Sequence, residues 1–103
     1  MSAPDSDEAA GSSGAVTRVM KIVNEKGLHA RASAKFVQMV EKFDANVRVS
    51  RNGESVGGDS IMGLMMLAAG IGTSITVTAT GPEAQQVIAA LDALVSTRFG
   101  EDE

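Results

Sequence analysis

A chain of 103 residues with 44% hydrophobic content is long enough for one domain with a modest core. It has no Cys, which excludes a disulfide framework, a thiolate nucleophile and the usual zinc site, and its one His excludes a multi-His metal centre. A net charge of −4 with neither Trp nor Tyr argues against a nucleic-acid partner, and no apolar run reaches the length of a membrane span.

The first stretch, residues 1–14, differs in composition from the rest. Pro4, Asp5, Asp7, Glu8 and the run Gly11-Ser12-Ser13-Gly14 bury too little surface to order themselves, and the basic start and apolar stretch of a signal peptide are missing. It reads as a flexible tail ahead of a domain at 15–99, and the acidic residues 100–103 read as a frayed end.

Val16 to Val23 is rich in β-branched residues, and its alternation places Met20 and Ile22 on one face. Asn24 to Leu28 is a loop. Ala30 to Phe43 has helical spacing, with Ala32, Phe36, Val40 and Phe43 near one stripe. Of the three aromatic residues, Phe36, Phe43 and Phe99, the first two fall in this pattern and read as core.

Asn46 to Ser50 reads as a strand and Arg51-Asn52-Gly53-Glu54 as a tight hairpin turn, because Asn-Gly tolerates positive φ at both positions. A short strand follows at Ser55 to Gly57. Asp59-Ser60 then suits the N-cap of a helix from Ile61 to Ala69, which Gly70 and Gly72 stop. Ser74 to Thr80 alternates, with Ile75, Val77 and Ala79 on one face. Gly81-Pro82-Glu83 starts the last helix, whose buried stripe is Val87, Ile88, Leu91, Leu94 and Val95.

The order β-α-β-β-α-β-α, with a hairpin and helices apolar on one side, predicts an α+β fold: a four-stranded antiparallel sheet with helices on one face. The other face meets water, in agreement with the polar alternates Thr17, Lys21, Thr76 and Thr78.

The single histidine carries the most chemical information. It sits in Gly27-Leu28-His29-Ala30-Arg31, where a loop ends and an amphipathic helix begins. A helix N-terminus presents unpaired N–H groups and partial positive charge, so the backbone of Ala30, Arg31 and Ala32 is a ready anion site. Arg31 adds a full positive charge two residues on, and its planar fork of donors suits phosphate. A nucleophile beside such a site can accept a phosphoryl group. The same local pattern also fits a loop histidine with no chemistry.

The helix from Ile61 is rich in Met. Ile61, Leu64, Met65 and Ala68 make an inward stripe, which leaves Met62 or Met66 exposed. Flexible thioethers suit a surface that fits more than one partner, and equally suit plain gap filling.

Gly27-Leu28-His29-Ala30-Arg31, followed by Asp59-Ser60-Ile61-Met62-Gly63-Leu64-Met65 and set in this element order, resembles the histidine phosphocarrier proteins (HPr) of the bacterial phosphoenolpyruvate-dependent phosphotransferase system. The resemblance covers Val16 to Phe99. It implies the open-faced β-sandwich of that family. It implies that phospho-enzyme I phosphorylates His29 on Nδ1, that Arg31 attends the phosphate, and that an enzyme IIA-type acceptor takes the group next. Neutral imidazole is a good nucleophile near pH 7, and a phosphohistidine bond is labile enough to be handed on. A serine ester would trap the group. Such transfer depends mainly on positioning and charge stabilisation.

The resemblance also makes Ser60 a regulatory phosphorylation site for an HPr serine kinase/phosphatase, a role compatible with capping the helix. It places partner docking on the first two helices, at Ile61, Met62 and Met65. The chain departs from the family at Ala32, where Pro is usual, and at Asp59, where a basic or neutral residue is common. Ala32 gives up a fixed φ but restores an N–H. A cytoplasmic monomeric carrier, without cofactor or metal and not a turnover enzyme, is expected. Two other readings stay open: a mainly regulatory protein of the nitrogen-related branch of the same system, and a structural relative that takes no phosphate.

Overall fold

The computed structural model describes residues 15–101, so the expected tail at 1–14 and the last two residues lie outside the described residues. Along the chain come β1 (Val16–Lys21), α1 (Ala30–Val40), β2 (Asn46–Arg51), β3 (Glu54–Gly57), α2 (Ile61–Met66), β4 (Ser74–Thr80), α3 (Ala84–Ser96) and a closing 3-10 turn at Arg98–Gly100. The sheet runs β1-β4-β2-β3 with every neighbouring pair antiparallel. This is the expected α+β open-faced sandwich.

Alternation sets the two faces of the sheet. Met20, Val47, Val49, Ile75, Val77 and Ala79 are buried in one core with Phe36 and Val40 of α1 and Val87, Ile88, Leu91 and Val95 of α3. On the open face Thr17 and Thr78 share a hydrogen bond at 3.1 Å, and Val19 is exposed. At the hairpin Arg51 pairs with Glu54, while Asn52 and Gly53 take φ of 52° and 82°. Both turn residues lie in the left-handed region that a two-residue hairpin of this hand requires. Among the described residues no helix is long and apolar enough to cross a membrane.

Several element ends differ from the periodicity. Helix α1 stops at Val40 instead of Phe43, because the N–H groups of Lys42 and Phe43 turn back to the carbonyls of Met39 and Val40. Phe43 still packs against the core. Helix α2 stops at Met66, short of Ala69. Leu67 and Ala68 bond three residues back, and Ala68 takes φ of 53°, so an alanine fills the left-handed position usually given to Gly. The inward stripe also differs from the periodicity. Leu64 is buried, joined by Leu67 and Ala69, whereas Ile61, Met65 and Ala68 face outward. Pro82 lies before α3 in a turn closed by the Ala84 N–H on the Gly81 carbonyl, and Leu94 is half-buried.

Of the end expected to fray from Gly100, residues 100 and 101 are among the described residues. Phe99 is buried to 1% exposure, Gly100 closes the 3-10 turn, and the Glu101 carboxylate meets His29. The buried ring anchors the segment, and Lys35 Nζ holds the Phe99 carbonyl at 2.6 Å.

Candidate functional site

The loop before α1 is tied at both ends. Asn24 accepts from the Gly27 N–H through its carbonyl at 3.1 Å and donates from Nδ2 to the Gly27 carbonyl at 2.8 Å. Gly27 has φ of 65°, and a Cβ there would lie 2.4 Å from the Ala69 carbonyl oxygen, so only Gly fits. Leu28 is buried and its N–H donates to Ala69 at 3.0 Å. The chain therefore reaches His29 from a fixed direction.

His29 occupies the N-cap position of α1 with extended backbone, and its carbonyl accepts the Ser33 N–H at 2.9 Å. Its side chain makes no cap hydrogen bond, so the imidazole leaves the N–H groups of the first turn to an incoming anion. Ser33, fully buried, turns its hydroxyl to the Leu28 carbonyl at 3.2 Å. The ring of His29 lies in an open cleft of about 650 Å³ lined by Lys26, His29, Ala30, Arg31, Lys35, Gly100 and Glu101. Three cationic side chains around one imidazole suit an anionic guest. Arg31 is exposed and, among the described residues, makes no ion pair or side-chain hydrogen bond. Ala30 lines the cleft and Ala32 turns its methyl into the core.

One neighbour escaped sequence reasoning. Glu101 Oε2 lies 2.5 Å from His29 Nε2, with the two side chains 12% and 27% exposed respectively. Glu101 Oε1 accepts from Asn24 Nδ2 at 3.1 Å. The contact spans 72 positions of sequence, and its only sequence trace is an apolar Phe99 just ahead of an acidic end.

The other predicted residues form a second feature beside the first. Ser60 caps α2, its Oγ accepting the Gly63 N–H at 3.0 Å. Gly63 lets the helix close on β3, since a Cβ would come within 2.9 Å of Val56. α1 and α2 pack together, and α2 turns Ile61, Met62, Met65 and Met66 outward. Met62 and Met66 are both exposed, at 69% and 73%, so the apolar surface is larger than the either-or of the periodicity. Among the described residues no cluster of three or more His, Asp or Glu is placed to hold a metal ion.

Residues 16–97 match the protein family PTS-HPr, described as the PTS HPr component phosphorylation site. The chain is 54% identical over 82 residues to a phosphocarrier protein HPr of Cupriavidus necator, across 80% of this chain and 92% of that protein. It is 36% identical over 84 residues to a phosphocarrier protein NPr of Shewanella violacea, across 82% of this chain and 92% of that protein. The crystal structure of HPr-C-His from Thermoanaerobacter tengcongensis has a TM-score of 0.81 at 35% identity, covering 85% of this chain and 99% of that one.

Proposed function

The chain belongs to the HPr family of phosphocarriers of the phosphotransferase system, and we propose that His29 is its phosphoryl acceptor. The observation that carries this reading is the placement of the only His at the head of α1, in a cleft with Lys26, Arg31 and Lys35. Phospho-enzyme I is the donor and an enzyme IIA-type protein the acceptor.

In the transfer, a ring nitrogen of His29 gives its lone pair to phosphorus. The bond from phosphorus to the donor breaks, and its electron pair stays with the donor. Charge on the phosphoryl oxygens is met by the Arg31 guanidinium and by first-turn N–H groups at Ala30, Arg31 and Ala32. The backbone N–H groups are fixed by the helix before the donor arrives, so they need little reorganisation at the moment of transfer. Each loading needs a new donor, so the protein is a relay component and not a turnover enzyme.

Docking falls to Ile61, Met62 and Met65, which lie outward on α2 beside α1. Phosphate on Ser60 would add charge at the edge of that surface and discourage docking, which is the regulatory role assigned to it. An HPr serine kinase/phosphatase is the partner that reading requires. The carrier acts as a cytoplasmic monomer.

The nitrogen-related branch is the second reading, favoured by the NPr relative at 36% identity. The higher identity to an HPr favours the sugar-linked branch. The phosphorylated chain, offered in turn to an acceptor of each branch, distinguishes them. Rapid transfer to the sugar-branch acceptor and slow transfer to the other supports the first reading; the reverse order supports the second. Transfer to neither contradicts both.

A further inference from the structure

The geometry points to Glu101 as a positioning residue that holds the His29 ring with its proton on Nε2 and leaves Nδ1 to receive the phosphoryl group. This rests on His29 being the acceptor. Four observations carry it. Glu101 Oε2 is 2.5 Å from Nε2, a close hydrogen-bonding contact between the ring and a carboxylate. The Glu101 carboxylate is mostly buried and braced by Asn24, which donates one amide hydrogen to it and another to Gly27. Asn24 Oδ1 is buried without a partner among the described residues, so the amide is oriented for its hydrogens at some cost to its oxygen. The segment is anchored by buried Phe99 and by Lys35 on the Phe99 carbonyl.

A carboxylate accepts and does not donate, so the hydrogen of this pair is the one on Nε2. With that nitrogen protonated, the lone pair of the neutral ring is on Nδ1. Attack forms the Nδ1–P bond and breaks the bond from phosphorus to the donor, whose electron pair leaves with the donor. The ring becomes a cation and keeps its Nε2 proton. On onward transfer the Nδ1–P electron pair returns to Nδ1 and the ring is neutral again. No proton enters or leaves His29 in either step. Glu101 stabilises the cation that exists between them, as a buried carboxylate does for a histidine general base.

The carboxylate also repels the phosphate, and distance decides which effect is larger. Glu101 touches the Nε2 edge of the ring, whereas phosphorus is bound at Nδ1 on the far side, about twice as far away. Lys26, Arg31 and Lys35 line the same cleft and offset its charge toward the phosphate.

The test uses the full chain and two variants, Glu101→Ala and Glu101→Gln. Nitrogen-15 NMR of the imidazole reads which ring nitrogen bears the proton, through its couplings to the ring C–H protons. The wild type is expected to hold the Nε2–H form, Glu101→Gln to keep it through its amide oxygen, and Glu101→Ala to relax toward a mixture. In single-turnover loading by phospho-enzyme I, both variants are expected to slow by roughly ten- to a hundredfold at saturating donor, because the charge on the contact is gone. The donor concentration for half-maximal rate is expected to stay unchanged. Thermal melts check that the fold is intact. If Glu101→Ala leaves both the proton position and the loading rate as in wild type, the inference is overturned. If the wild type itself takes no phosphoryl group, the acceptor reading fails, and the role assigned to Glu101 fails with it.

Discussion

Gly27 lies directly against the carbonyl of Ala69. The same oxygen accepts the Leu28 N–H at 3.0 Å, so the loop that presents His29 hangs on the loop that leaves α2. Gly27→Ala would put a methyl group 2.4 Å from that oxygen and 2.8 Å from the Gly70 Cα, on a backbone with positive φ. Both partners are main chain and cannot swing aside. The variant is expected to lose about 1–3 kcal/mol in urea unfolding with an unchanged slope, and to slow phosphoryl loading. Wild-type stability would show that the two loops are not tightly joined.

Arg31→Ala separates chemistry from folding. The side chain is exposed and has no ion pair or hydrogen bond among the described residues, so the melting temperature should stay near that of wild type. Rapid-quench transfer from phospho-enzyme I should nevertheless slow markedly. Unchanged transfer would make Arg31 a bystander.

Ser60 predicts opposite orders for stability and docking. Ser60→Ala removes the acceptor for the Gly63 N–H and is expected to cost about 1 kcal/mol, with enzyme I affinity kept. Ser60→Asp keeps a cap acceptor but sets a charge beside exposed Ile61 and Met62. It should melt near the wild-type temperature and bind enzyme I more weakly, since an apolar contact that excludes water penalises a buried charge. Melts combined with titrations of enzyme I decide this. Equal affinity of wild type and Ser60→Asp would leave Ser60 as a cap alone.

Phe99→Ala tests the anchor of the C-terminal turn. The ring is buried and adjoins Arg98, both residues holding positive φ. Truncation is expected to cost about 3–5 kcal/mol and to shift the His29 ring resonances, because the segment bearing Glu101 loses its tether. A normal His29 spectrum in a destabilised variant would separate the anchor from the site.

Local signals account for much of this molecule. Asn52-Gly53 announces its hairpin because few residues take positive φ twice in a row. Ser60 reads as a cap because its hydroxyl and the Gly63 N–H are three positions apart. His29 and Arg31 are legible together because both belong to one loop-to-helix junction. What stayed hidden depends on tertiary contacts. Ala68 ends α2 in a conformation that its residue type does not suggest, while two nearby glycines draw attention to a later stop. Met65 and Ile61 face outward because the short helix sets only Leu64 against the core. Phe99 has no periodic partner, and its burial follows from where α3 delivers it. Glu101 resembles any acidic terminal residue until the fold brings it across 72 positions to the imidazole.

The most direct measurement of the central claim is phosphate incorporation from phosphoenolpyruvate and enzyme I into wild type and His29→Ala. The wild type should acquire one acid-labile, alkali-stable phosphate. The variant should acquire none while giving wild-type circular dichroism, because the chain has no second His to take the group. Acid-labile phosphate on folded His29→Ala would contradict the account.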